Sequence, residues 1–270
     1  MNNNSSGQKV VRFATLGQAA FAATMIGLGI LGLIKRDFAP IWEPVPRGVP
    51  LRVVLIYLCA FIALTTGIGL LWRRAAASAS RLLLAYLLLW LLLLRLPHIF
   101  ISPTVDVWYS SCQTAVVVAA AWVLYASFAA DRDRQRFGLA TGDNGMRIAR
   151  VLYGVALIPF GLAHFLYVQA TAPLVPHWLP AHVAWAYFTG GTFVAAGIAV
   201  IVGVFARLAA ALSALQIGLF TLLVWVPIVA SGTANASQWG EFIVSWVLTA
   251  GGWVVADSYR GTPWLAMRRR

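Results

Sequence analysis

The sequence predicts an all-α protein, a polytopic membrane helical bundle of eight transmembrane helices arranged as two parallel four-helix repeats. Three observations predict it. Hydrophobic residues make up 61% of the 270-residue chain and charged residues 10%, with a mean hydropathy of +0.81, whereas a soluble domain of this length needs far more charge to cover its surface. Apolar runs long enough to cross a hydrocarbon core of roughly 30 Å, which takes about 20 residues as helix, recur eight times. Prolines, tryptophans and glycines recur at a spacing near 130 residues.

Taken in order, residues 1–12 form a polar, Asn-rich tail carrying Lys9 and Arg12. The run 13–34 that follows is longer than the apolar core of a secretory signal and reads as the first helix. The others span 53–72, 75–96, 107–130, 148–168, 181–205, 207–229 and 239–257, and each must be helical because unpaired backbone groups cannot sit in lipid. The third opens on the small, polar AAASAS and the eighth carries Glu241 near its start. The expected organisation is a first repeat over 1–130, a linker over 131–147, a second repeat over 148–259 and a basic tail over 260–270. The linker stretch DRDRQRFGLATGDNG (131–145) is the one long charged connection and reads as solvated loop.

Charge fixes the expected topology. With the N-terminus inside, the cytoplasmic side holds 15 of the 20 Lys and Arg residues, among them Arg73, Arg74, Arg132, Arg207 and Arg268 to Arg270. The other side holds Lys35, Arg36, Arg47, Arg52 and Arg95, so the positive-inside rule places both termini in the cytoplasm. The net charge of +12 is scattered over helix ends in this way, which argues against a nucleic-acid partner and for a lipid bilayer.

The repeat is read from three offsets. At 130, Pro46, Pro50, Gly67 and Pro97 fall on Pro176, Pro180, Gly197 and Pro227. At 131, Trp108, Trp122 and Ser127 fall on Trp239, Trp253 and Ser258. At 129, Gly32, Lys35 and Phe38 fall on Gly161, His164 and Tyr167. Four helices per half is an even number, so the halves enter the membrane in the same direction, as parallel repeats do.

Polar residues cluster on the expected outer side. His98, His164, His177, His182, Lys35, Asp37, Glu43, Arg47, Arg95, Asp106, Gln169 and Glu241 all map there, with ten of the twelve prolines. Prolines stiffen the chain, so 35–52 and 169–180 are expected to be short, rigid crossings. Trp42, Trp108, Trp178 and Trp239 at the same level read as an interfacial aromatic belt. His164, one turn before the end of its helix, is a candidate proton acceptor or hydrogen-bonding group for a headgroup-level ligand, because ionisable residues within a span are expensive and often functional. Arg95 either snorkels to headgroups or pairs with Asp106 or Glu241 to bind an anion. Glu241 is either a proton relay or a wet residue at a helix start. The candidate ligand-contacting set is therefore His164, Lys35, Arg95 and Glu241. No metal site is expected, because the histidines have no ligand spacing. Cys59 and Cys112 lack CxxC spacing and pair only if the second and fourth helices touch. Pro159 predicts a kink in the fifth helix, and the Gly-Gly pairs at 190–191 and 251–252 favour close helix packing.

The segments IPFGLAHFLYV, LVPHWLP and WAYFTGGTFVAAGIAVIVG resemble the DoxX-like integral membrane proteins. Members typically have a four-helix unit in which a glycine is followed three positions later by Lys or His at the end of the first helix. Gly32 with Lys35, and Gly161 with His164, match that pattern, so the chain looks like a duplicated, eight-helix form covering about 13–259. Some DoxX-like proteins are associated with redox systems, including an archaeal thiosulfate:quinone oxidoreductase and a mycobacterial oxidant-resistance complex. The resemblance thus implies a redox- or quinone-associated subunit of the bacterial inner membrane, with quinone as the candidate cofactor and a redox protein as partner. A small-molecule transporter or channel, and a non-catalytic membrane anchor or assembly protein, are the competing expectations; no nucleophile or nucleotide motif decides for an enzyme.

Overall fold

The structure, a computed structural model, describes residues 15–43, 45 and 48–267. The tail 1–12, Pro46, Arg47 and Arg268 to Arg270, on which part of the charge and repeat reading rests, lie outside the described residues. Among the described residues eight helices are long and apolar enough to cross a membrane. They are α1 (Leu16–Lys35), α2 (Arg52–Leu71), α3 (Ala76–Ile101), α4 (Val105–Phe128), α5 (Gly142–Leu166), α6 (His182–Val202), α7 (Ala206–Ala230) and α8 (Ala236–Asp257). All eight predicted spans are present, and the protein is an all-helical, multi-pass membrane bundle.

Both described ends of the chain lie at one end of the bundle. There the Gly17 amide, in the first turn of α1, donates to the Asp257 carboxylate at 3.2 Å, where the helix dipole favours a negative charge. Arg81 meets Asp133 at 3.1 Å, Arg150 donates to Ser258 and lies over the Tyr259 ring, and Arg207 donates to the Thr262 carbonyl at 2.7 Å. The linker's charge run is exposed as expected apart from Asp133, but it is not plain loop. Residues Asp131–Arg136 form a short helix, Asp133 is buried by its pairing with Arg81, and Trp122 Nε1 donates to the Ala140 carbonyl at 2.9 Å. Helix α5 accordingly begins at Gly142 rather than at 148.

Each helix packs on the next in sequence, α8 closes on α1, α4 packs on α5, and α4 touches α8 across the middle. Helix α4 is the hub: 83% of its apolar window is buried, against 33–56% in the other spans. Its composition explains this. Val116 to Ala121 are all 0% exposed, and small side chains on every face let neighbouring backbones close in from all sides.

The tightest approaches are glycine-mediated and occur in both halves. A Cβ on Gly29 would lie 2.7 Å from the Ala60 carbonyl oxygen and 2.7 Å from Leu64, and one on Gly67 would lie 2.8 Å from Ala22 and Ile26. In the second half, Gly161 is held in the same way against Gly190 and Val194, and Gly197 against Gly154 and Ile158. These partners correct the expected register of the first helices. On α2 and α6, Ala60, Leu64 and Gly67 match Gly190, Val194 and Gly197 at the expected offset of 130. On α1 and α5, Ala22, Ile26 and Gly29 match Gly154, Ile158 and Gly161, an offset of 132 and not 129. His164 therefore takes the place of Gly32, and Lys35 takes the place of Tyr167. The sequence offers a Gly at both 29 and 32, and only packing decides between them.

Prolines 97 and 227 lie within α3 and α7, each directly after a π-helical turn, Leu91–Arg95 and Thr221–Trp225. Proline lacks an N–H and crowds the carbonyl four residues back, and the wider turn moves that carbonyl aside, so both helices continue past their proline. This is why α3 reaches Ile101 when the sequence pattern ends it at 96. Helices α2 and α6 also begin alike, after the left-handed residues Leu51 and Ala181, both at φ 56°.

Candidate functional site: a lipid-facing cavity in the second half

Along α5 to α8 a half-open cavity of about 640 Å³ runs from the crossing after α5 to Phe205, beside the C-terminal described residues, with Tyr109 and Gln113 contributed by α4. That volume lies within the range of roughly 300–1,000 Å³ typical of small-molecule sites. The crossing after α5 lines it through Thr171, Leu174, Val175, Pro176 and Leu179. Its lining includes Phe188, Leu212, Leu215 and Leu219, which are exposed on the lipid-facing surfaces of α6 and α7, so the cavity communicates with the bilayer between those two helices.

Two of the four candidate residues meet here. His164 lies in the last turn of α5 and Glu241 near the start of α8, and both line the cavity. His164, in a last turn, sits where the local helix dipole favours its charged form, whereas Glu241 is the sixth residue of α8 and lies beyond the first turn. His164 Nδ1 lies 2.7 Å from the Phe160 carbonyl oxygen. A carbonyl only accepts, so Nδ1 carries a proton, and Nε2 is the ring's unengaged atom, an acceptor in the neutral imidazole. Phe193 lies against the ring, with centroids 5.7 Å apart. Glu241 makes no ion pair and no hydrogen bond among the described residues, and Tyr109 and Gln113 are its polar surroundings.

Further polar groups grade along the walls. The Thr192 hydroxyl is 2.6 Å from Gln216 Oε1, and Gln216 Nε2 donates to the Thr189 carbonyl at 3.1 Å, which fixes the amide in the cavity wall. Of the two wall serines deeper in, Ser245 meets the buried Thr221 hydroxyl at 2.6 Å and Ser213 the buried Tyr153 hydroxyl at 3.0 Å, both behind the wall. Tyr109, Gln113, Gln216 and the threonines were not singled out by the sequence reading. Gln216 was findable, as an amide placed within a span.

Lys35 and Arg95 do not belong to this site. Lys35 is exposed at the end of α1 and lines no part of the cavity. Arg95 is 3% exposed and donates to the Ile41 carbonyl at 3.3 Å and to the Glu43 carbonyl, so it neither snorkels nor pairs with Asp106 or Glu241. It caps a crossing that folds inward. Phe38, Ile41 and Trp42 are buried, with Trp42 at 1% exposure, and the Pro40–Trp42 turn packs on α4 and α8. Trp42 is therefore not part of an interfacial belt, whereas Trp108, Trp178 and Trp239 are exposed. Beside the crossing, partial burial and then the charge of Asp37 push the Glu43 carboxyl above the ordinary range, against the pull of Arg52 and Arg95.

The remaining candidates stay apart. Cys59 and Cys112 are buried free thiols, on helices that pack on other neighbours. The His177 and His182 rings are 6.2 Å apart, and no group of three or more His, Cys, Asp and Glu residues among those described is placed to hold a metal ion. No protein-family model, curated protein or solved structure matches the chain, so what the cavity does is argued from its own geometry.

Proposed function

We propose that this chain is a redox- or quinone-associated subunit of the bacterial inner membrane, whose second half binds a lipid-soluble quinone. The cavity is the observation that carries this reading: it opens to lipid, is walled by apolar residues, and gathers His164 and Glu241 at one end. Those features fit a ring with polar edges on an apolar tail. With both termini in the cytoplasm, as the charge asymmetry argues, the site faces the outer leaflet. The resemblance to DoxX-like proteins points the same way and supplies a redox protein as the expected partner.

A bound quinone supplies two-electron, two-proton exchange. The chain's own residues supply orientation and proton handling. Neutral His164, its Nδ1–H committed to Phe160, offers Nε2 to a ring hydroxyl, and as imidazolium it donates to a ring carbonyl instead. Glu241 is a second proton-exchanging group in the same cavity. A His164→Ala variant is expected to bind a short-chain ubiquinone about tenfold more weakly, the value of one hydrogen bond to a charged or strongly polar partner. Lys35→Ala is expected to bind as the parent does. Tryptophan quenching during titration measures both, and unchanged affinity in the His164→Ala and Glu241→Gln variants alike would sink the proposal.

A further inference from the structure

The first half contains the counterpart of the cavity, and that counterpart is filled by the chain itself. On α3, Tyr86 and Trp90 match Gln216 and Phe220 of α7 at the offset of 130 that also matches the two π-helical turns. Gln216 and Phe220 line the cavity. In the first half the Trp42 indole occupies the corresponding place: its centroid is 5.4 Å from Tyr86 at an interplanar angle of 74°, and 5.6 Å from Trp90 at 63°. Phe38 completes the cluster, 5.7 Å from Trp90.

The differences between the halves explain why one is plugged and the other open. Gly32 stands where α5 has His164, so no side chain projects there: a Cβ would lie 3.0 Å from Ala60 Cβ, and the Asp37 carbonyl oxygen of the returning chain is 3.7 Å from that position. Trp42 ends a single 3₁₀ turn whose second-half equivalent, Ala172–Leu174, ends on Leu174, a much smaller side chain in the cavity wall. Arg95, which caps the inserted crossing, is matched by Trp225, because the second half has no inserted carbonyls to cap.

We infer that the cavity recognises its ligand by a planar ring of about the size of an indole, seated edge-on to Phe220 as Trp42 is seated against Trp90, with a polar group of that ring meeting the Gln216 amide. This rests on the reading of the cavity as a ligand site and names the recognition groups within it. T-shaped and offset ring pairs are favoured by the ring quadrupole, and a flat rigid ring loses little conformational freedom on binding. The Gln216 amide is held by Thr192 and Thr189, and it retains one free N–H and one free lone pair for a carbonyl or hydroxyl on the ring edge. Any tail leaves between α6 and α7 into the bilayer.

The test compares a ring probe with a chain probe on the full-length protein in detergent. Menadione, a tail-less naphthoquinone, and decanol, an apolar chain without a ring, are each measured by equilibrium dialysis on the parent and on Phe220→Leu, Gln216→Leu and Leu174→Trp variants. Phe220→Leu is expected to weaken menadione about fivefold and leave decanol within a factor of two, since an aromatic pair contributes about 1 kcal/mol beyond area. Leu174→Trp, which rebuilds the plug, is expected to exclude both. Binding of decanol without menadione, or an equal loss of both in Phe220→Leu, overturns the ring inference while leaving the cavity a ligand site. Binding of neither probe to the parent overturns the ligand site itself. Each variant's melting temperature is recorded, and Phe220→Tyr, which keeps the ring, must retain menadione for the inference to stand.

Discussion

An Arg95→Ala variant is expected to lose about 3 kcal/mol of stability while leaving ligand binding in the second-half cavity unchanged. The guanidinium is buried and donates to the carbonyls of Ile41 and Glu43, which sit at the end of the inserted crossing. Its removal leaves the buried Ile41 carbonyl unpaired, at roughly 1–3 kcal/mol, takes the partner from the part-buried Glu43 carbonyl, and opens a void behind Trp42. Lysine is expected to restore much of the loss, because one Arg95 nitrogen, Nη2, makes both contacts and an ammonium carries donors enough for two carbonyls. Thermal unfolding followed by tryptophan fluorescence is informative, since Trp42 and Trp90 meet edge-on near the crossing that Arg95 caps. A melting temperature equal to the parent's would refute the capping role. Loss of menadione binding without loss of stability would return Arg95 to the ligand site for which the sequence suggested it.

That reassignment shows where the sequence stops being informative. The spans were legible because length and apolarity alone decide what crosses a bilayer, and α3 and α8 formed despite AAASAS and Glu241. The centrality of α4 was not legible, since every span is apolar all round and lipid and protein are equally apolar neighbours. Its small residues were the available signal. Depth was legible for the polar residues, and it placed His164 and Glu241 at one end of the bundle, but depth is not proximity. Lys35 and Arg95 share that depth and face other surroundings. The one-turn ambiguity between Gly29 and Gly32 made Lys35 look like the partner of His164, and only the carbonyl of Ala60 against Gly29 resolves it.

The Gly-Gly pair at 190–191 is expected to respond asymmetrically to substitution. Gly190→Val should cost roughly 3 kcal/mol and Gly191→Val close to nothing, although the two residues are adjacent and both lie in a membrane span. A Cβ on Gly190 would lie 2.9 Å from the Gly161 carbonyl oxygen, 2.9 Å from His164 Cβ and 3.0 Å from Phe165, whereas one on Gly191 would have nothing within 4 Å. Backbone cannot yield as a flexible side-chain tip can, so a branched side chain at 190 must drive α5 and α6 apart. That separation also carries His164 away from Phe193, and the cavity wall opens. The expected signature is therefore double: a lower melting temperature and weaker binding in Gly190→Val, with Gly191→Val matching the parent in both. Equal effects at the two positions would mean that α5 and α6 do not cross at this glycine, and the geometry of His164 would fall with it.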